Sequence, residues 1–266
     1  YAEKEVQDYD KVITYADKVI KTTGVELEDS YETLWGYDET TKDCLKRNTK
    51  EGILEVHWTT GSGNWETWMY GRQLDNWDYY FTWAKWITPS RDIINDFEKE
   101  GDEIRKNQAI VYYACTWSNY YPASNYPFMY KLRSSYSNIY WIRLADIILM
   151  KAEAEAYKGN LDESAKLVNQ IRKRAKLKEL TSDKTNSKEA MIEAVLHERR
   201  LELAFEGERW FDLCRNNKVE KYLNGIDNRD KGRIKQVKLF DSNSYLLPIP
   251  QTALDQNTNL EQNPGY

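Results

Sequence analysis

The chain is poor in cysteine and lacks the runs that mark a membrane span or a nucleic-acid surface. Its three cysteines, Cys44, Cys115 and Cys214, are scattered, odd in number and without CxxC spacing, so neither a zinc site nor a disulfide framework is expected. No apolar stretch approaches the ~18 residues that a spanning helix needs. No lysine-arginine run offsets the net charge of −5, which leaves no counterion release to draw a nucleic acid. A phosphate loop, metal-ligand spacing and a nucleophile elbow are all missing, and no cofactor or metal is expected. No signal peptide opens the chain. It starts at Tyr1 rather than at methionine, which reads as a mature product or an excised fragment whose membrane anchor would lie upstream.

What is present is equally informative. At 266 residues the chain can bury roughly 70–75% of its extended surface, and a mean hydropathy of −0.82 marks a soluble sequence. Phenylalanine is outnumbered: six, beside twenty tyrosines and ten tryptophans. A ring with a polar tip needs a hydrogen-bond partner when buried, so this excess suits rings that face both apolar and wet surroundings.

Periodicity divides the chain. Val6, Tyr9, Val12, Ile13, Ala16, Val19 and Ile20 recur every three to four positions and predict a helix over residues 3–22, stopped by Gly24. From about Ser30 to Thr88 the period fades, apart from one strand-like run, Gly52 to Trp58. Pro89 is suited to the first turn of a helix reaching about Lys99, and irregular chain is expected again around Pro122 and Pro127. Ile142–Lys158 and a partner running to about Lys176 form a helical hairpin turned at Gly159-Asn160, in the style of a tetratricopeptide repeat. Ser187 is placed to cap a third helix, Lys188 to about Phe205, interrupted at Gly207. The remaining tail has no helical period and is expected to be extended, its amides bonding to the domain.

The third helix carries HERRLELAFEGERWFDLCR (residues 197–215). Glu198, Glu202 and Glu206 lie one turn apart, and like charges at that spacing repel unless cations interleave them. Arg199, Arg200 and Arg209 are close in sequence, and the hairpin adds Arg143, Arg172 and Arg174. The expectation is a partly buried ion-pair lattice that staples the third helix to the hairpin. The competing reading, His197 and a glutamate as an acid–base pair, must explain an arginine beside every glutamate, because a neighbouring guanidinium lowers a carboxyl pKa and blunts it as an acid.

The binding signal lies earlier. Six tryptophans and three tyrosines fall between Trp58 and Trp86, interleaved with amides and charges. Sugars present flat C–H faces and hydroxyl edges; rigid rings suit the first, and amides, carboxylates or guanidinium the second. The ligand-binding residues chosen are Trp65, Trp68, Tyr70, Trp77 and Tyr79, with Asn64, Arg72 and Asp78 for hydroxyls. Trp83, Trp86 and Phe81 are better read as core, and Trp117, Tyr120, Tyr121 and Tyr126 form a weaker second group. Two rivals remain. Glu66, Asp75 and Asp78 could serve a glycoside hydrolase, although nothing fixes the carboxylate separation such an enzyme needs, or the helices could be a scaffold for protein partners.

Several of these segments resemble one family. YWIRLADIILMKAEAEA (140–156) looks like the "iRlAeiyLmrAEA" helix of the SusD/RagB family, and AKLVNQIRKRA (165–175) resembles its "lNqiRaRa" partner. Residues 197–215 are similar to "ERrrELafEGhRffDLrR", and LPIPQTALDQNTNLEQNPGY (247–266) to its terminal "lPIPqsEidlNPnLtQNPGY". PSRDIINDFEKEGDEIR (89–105) matches a middle motif whose Asp-Arg pair appears here as Asp102 and Arg105. The resemblance implies a mainly α fold, tetratricopeptide-like hairpins framing an aromatic, loop-rich region: helical 1–30, ligand-binding 31–141, hairpin and signature helix 142–216, and an extended tail 217–266, in one domain lacking its N-terminal part. It further implies a non-catalytic, surface-exposed outer-membrane lipoprotein of Bacteroidetes-type bacteria. Such a protein binds a glycan, or in some members a peptide, and delivers it to a SusC-like TonB-dependent transporter. Its membrane association would rest on an N-terminal lipid anchor outside this chain.

Overall fold

The computed structural model describes residues 7–58, 87–115, 119–134, 136–230 and 235–266. Among the described residues, 8–209 form one unit, and 210–266 with Gln7 form a second. In the larger unit a helical hairpin packs with two further helices. The hairpin is α5 (Leu144–Lys158) and α6 (Leu161–Arg174); α1 (Tyr9–Ile20) and α8 (Lys188–Glu202), which follows the short α7 (Ser182–Thr185), pack against α5. Alanines at 145, 152 and 156 alternate with Ile148 and Leu149 along α5, letting Val168, Ile171, Met191 and Val195 approach closely. All are fully buried, and each large aliphatic among them contributes about 1.5–3 kcal/mol relative to exposure.

Local signals set the ends of these helices. The Asp8 carboxylate accepts from Lys11 N at 3.0 Å, so α1 opens at Tyr9, later than the apolar period suggests. Ser187 Oγ accepts from Ala190 N and opens α8 where expected. Gly159, at φ +84°, ends α5, with its N–H donating to Ala156 O and the next amide to Glu155 O. A Cβ there would meet nothing within 4 Å, so Gly159→Ala should cost only the left-handed backbone penalty, roughly 1 kcal/mol, as a shift in the urea midpoint at unchanged slope.

Among the described residues, the front half of this unit contains more pairing than the sequence reveals. After α2 (Tyr31–Trp35) come a minimal hairpin, β1 (Tyr37–Asp38) with β2 (Asp43–Cys44), and then β3 (Gly52–Val56). β3 pairs antiparallel with β6 (Ile139–Arg143), Gly52 opposite Arg143 and Val56 opposite Ile139, with irregularities between. The helix expected at Pro89 is α3 (Arg91–Glu100), and Ser90, not Pro89, opens it by accepting from Ile93 N. α4 (Glu103–Ala109) follows, capped by Asp102. The region expected to be irregular after it contains a ribbon, β4 (Ile110–Tyr113) against β5 (Tyr126–Met129). β5 is buried along its whole length, so it lacks the alternation by which a half-buried strand is recognised.

The smaller unit is built from α9 (Arg209–Arg215, whose first residue belongs to the larger unit), α10 (Val219–Leu223), α11 (Ile226–Arg229), a 3₁₀ turn at Ser242–Tyr245, and α12 (Gln251–Gln256). The tail is therefore not wholly extended: Pro250 leads into α12, a turn and a half too short to display a period. Its amides bond largely to the tail itself. Gln262 brackets Ile249, accepting from its N–H at 2.8 Å and donating to its carbonyl at 3.0 Å, and Asn263 donates to Leu247 O.

Candidate functional site

The acid–base cluster of the signature helix is the most densely charged place among the described residues. α8 ends at Glu202. Phe205 at φ +66° and Gly207 at φ +91° then turn the chain back, which carries Glu206 inward beside Glu202. A left-handed phenylalanine costs of order 1–3 kcal/mol and is held by what it delivers. Both Glu206 oxygens are taken: Oε2 by Arg143 Nε at 2.7 Å, Oε1 by Arg143 Nη2 at 2.9 Å and Lys131 Nζ at 2.5 Å.

Glu202 is the hub. Arg143 Nη1 (2.7 Å) and Arg174 Nη2 (2.6 Å) donate to its Oε1, and Tyr31 Oη (2.6 Å) and Arg105 Nη1 (3.2 Å) to its Oε2. The network continues on both sides. Glu51 binds Arg143 at 2.8 Å and also Arg174; Glu198 binds Arg105 at 2.7 Å and Arg172 at 2.9 Å; Asp102 takes Arg105 Nε. Five buried cations (Arg105, Lys131, Arg143, Arg172, Arg174) thus meet five buried carboxylates (Glu51, Asp102, Glu198, Glu202, Glu206). Glu100 joins at the rim, between Arg172 (3.0 Å) and His197 Nε2 (3.1 Å).

The electrostatics follow from this geometry. Burial alone would raise the Glu202 carboxyl, but Arg174, Arg143 and Arg105 outweigh it and hold the group well below the usual carboxylate range. Burial likewise opposes ionisation of Glu206, and Arg143 and Lys131 overcome it. The hydrogen bond from His197, with help from Arg172, pulls Glu100 down to about 2. Asp102 runs the other way, raised by burial. Carboxylates held ionised by fixed guanidinium groups make a frame and are unsuited to passing protons.

The expected lattice is therefore present, with a partial change of membership. Arg143, at the end of β6, and Arg172 and Arg174 of the hairpin serve as predicted. Arg199, Arg200 and Arg209 do not reach the three glutamates. Arg199 is buried against Asp146 at 2.8 Å, Arg200 pairs with Asp92 and Asp96, and Arg209 donates to Leu196 O. A residue next in sequence to a glutamate on a helix points about 100° away, so adjacency does not make a partner. Arg105, Lys131, Glu51 and Asp102 arrive from distant segments and carried no local signal, although Asp102 and Arg105 were singled out by motif.

The residues expected to hold ligand, Asn64, Trp65, Trp68, Tyr70, Arg72, Trp77, Asp78 and Tyr79, lie outside the described residues. So do Glu66, Asp75, Phe81, Trp83, Trp86 and Trp117. The rest of the second aromatic group is packed inward. Tyr126 is fully buried with Phe128 and Cys115, and Tyr120 and Tyr121 lean on that cluster. Sequence reasoning passed over Trp141, whose ring stands 65% exposed on β6; single exposed rings carry no pattern. Among the described residues no three or more His, Cys, Asp or Glu are placed to hold a metal ion, and no helix is long and apolar enough to cross a membrane.

This architecture is shared. The model of the SusD family matches residues 122–266, more than half of the chain and the whole of the signature helix. The chain belongs to the SusD family. It is 36% identical over 136 residues to SusD-like protein P38 of Formosa agariphila, a match covering 49% of this chain and 25% of that relative. Among solved structures, a SusD homolog from Bacteroides thetaiotaomicron superposes with a TM-score of 0.74 at 20% identity, covering 97% of this chain and 59% of that one. Surface glycan-binding protein A from the same organism, in complex with laminarihexaose, gives 0.67 at 18%, covering 96% and 59%. At these identities the likeness establishes the SusD-like, mainly α fold. The chain spans about six-tenths of the length of those solved proteins.

Proposed function

We propose that this chain is part of a non-catalytic, lipid-anchored, cell-surface glycan-binding protein of the outer membrane that captures an oligo- or polysaccharide and delivers it to a SusC-like TonB-dependent transporter. The observation that carries the reading is the use of the signature acids and bases: in a SusD-family chain, the one dense acid–base cluster among the described residues is consumed by the frame. Capture then falls to the aromatic segment. Trp65, Trp68, Tyr70, Trp77 and Tyr79 would cover sugar faces, with Asn64, Arg72 and Asp78 taking hydroxyls. Tyr and Trp lose little rotamer freedom on binding and so make efficient anchors. A structural neighbour holding laminarihexaose supports a β-glucan oligomer as first probe.

The test is a titration of the purified chain with a panel of oligosaccharides that includes laminarihexaose. Trp65→Ala and Trp77→Ala should each weaken binding by about 30-fold, the ~2 kcal/mol of a buried aromatic hot spot. Unchanged affinity in both would leave the helices as a scaffold for other partners.

A further inference from the structure

We infer that Asn224 is a modification site: a self-deamidating asparagine, guarded in the folded chain by Gln236, whose conversion to aspartate or isoaspartate releases the segment around Phe240. Asn224-Gly225 is the only Asn-Gly pair in the sequence, and it links α10 to α11 in the smaller unit. Asparagine is among the thermolabile side chains, and a following glycine presents a main-chain nitrogen that no side chain shields. The fold demands that glycine. Gly225 takes φ +67° at the start of α11, a left-handed conformation that a side chain would strain, and a Cβ there would meet Asn228 Nδ2 at 3.3 Å. The turn therefore carries a labile pair by necessity.

In the reaction the Gly225 nitrogen attacks Asn224 Cγ. The bond between them forms, the bond from Cγ to Nδ2 breaks, and the proton lost by Gly225 leaves with that nitrogen as ammonia. Water then opens the cyclic imide: breaking the new bond gives aspartate, and breaking the original peptide bond gives isoaspartate. Water is the one co-reactant.

One side chain engages both reacting groups. Gln236 Oε1 accepts from Gly225 N, the nucleophile, at 3.3 Å, and Gln236 Nε2 donates to Oδ1 of the Asn224 amide under attack at 3.2 Å. Gln236 is itself held, its main-chain N donating to Asp227 Oδ2 at 3.2 Å and its Nε2 also to Lys238 O at 3.0 Å. Asn224 grips the same segment a second time. Its Nδ2 donates to Phe240 O at 2.9 Å and its Oδ1 accepts from Phe240 N at 2.8 Å, so the amide brackets one residue as a pairing strand would. The Phe240 ring in turn lies against Trp210, with centroids 5.9 Å apart. An ionised aspartate only accepts, so at residue 224 it would set oxygen against Phe240 O and replace attraction by repulsion. Conversion therefore unfastens Phe240 from α10 and loosens its contact with Trp210.

The experiment incubates the full chain in mildly alkaline buffer, folded and in urea, and follows the amide-to-acid mass increase of the peptide containing residue 224. Electron-transfer fragmentation tells isoaspartate from aspartate. Folded wild type should convert slowest and the urea-unfolded chain fastest. Folded Gln236→Ala should convert about fivefold faster than folded wild type, the worth of one net hydrogen bond. Should thermal melts show that Gln236→Ala does not fold, Asp227→Ala, which frees the main chain of Gln236, is expected to accelerate conversion in the same direction. In Asn224→Asp, hydrogen exchange should show the Phe240 amide losing protection while the amides of α8 keep theirs. Equal rates in folded wild type and folded variant overturn the guard. No conversion at residue 224 in the unfolded chain overturns the site, and unchanged exchange at Phe240 in Asn224→Asp overturns the release.

Discussion

Glu202→Ala is expected to destabilise the helical unit by about 3–5 kcal/mol, the cost of leaving buried charge uncompensated. Its carboxylate is shared by Arg105, Arg143 and Arg174 and receives the Tyr31 hydroxyl. Removing it leaves three guanidinium groups facing one another where water cannot screen them. Their remaining partners, Glu51, Glu198, Glu206 and Asp102, are already engaged. Arg199→Ala should also be severe, because Asp146 is buried and loses its ion pair. Exposed pairs such as Lys11 with Asp8 should contribute little, because solvent and salt screen them. Urea unfolding followed by far-ultraviolet circular dichroism measures both. A loss under 1 kcal/mol for Glu202→Ala would mean that the cluster is solvated, and would return its glutamates to the list of chemical groups.

Acidification should unfold the protein steeply. Glu202, Glu206 and Glu100 all have folded pKa values below the ordinary carboxylate value of 4.5, Glu100 at about 2. A carboxyl of this kind binds its proton more tightly in the unfolded chain, so its stabilisation is complete above about pH 4.5 and is lost as pH falls through the folded value. Asp102 contributes with opposite sign, since burial raises it, but it is one group against three. The melting temperature should therefore be level near neutrality and fall between about pH 4.5 and pH 2. Glu100→Gln, at the half-open rim, should flatten the upper part of that fall. A melting temperature indifferent to pH over this range would contradict the lattice electrostatics.

Much of the frame was legible in the sequence because it rests on local rules. The hairpin, its Gly159 turn and the Ser187 cap follow from helical period and end chemistry, and the Glu198, Glu202, Glu206 row announces buried counter-charge. Which cations supply it was only half legible. Arg172 and Arg174 lie on the neighbouring hairpin and Arg143 just before it, at the end of β6, whereas Arg105 and Lys131 come from segments 97 and 71 residues away from Glu202 in sequence, and only the tertiary fold brings them in. β5 was hidden by its burial on both faces, and α12 by its brevity. At the candidate site, tyrosine richness around residue 120 suggests a surface for ligand; Tyr126 is instead fully buried, and Tyr121 is packed and donates to Pro89 O.

In the proposed function, the acids and bases of this SusD-family chain maintain its shape while its rings grip a ligand that leaves unaltered. The direct measurement is a long incubation of the purified chain with laminarihexaose and the rest of the oligosaccharide panel, counting reducing ends. The expected result is saturable binding with no new reducing ends. Reducing ends released at a rate that Glu66→Gln or Glu202→Gln abolishes would contradict it.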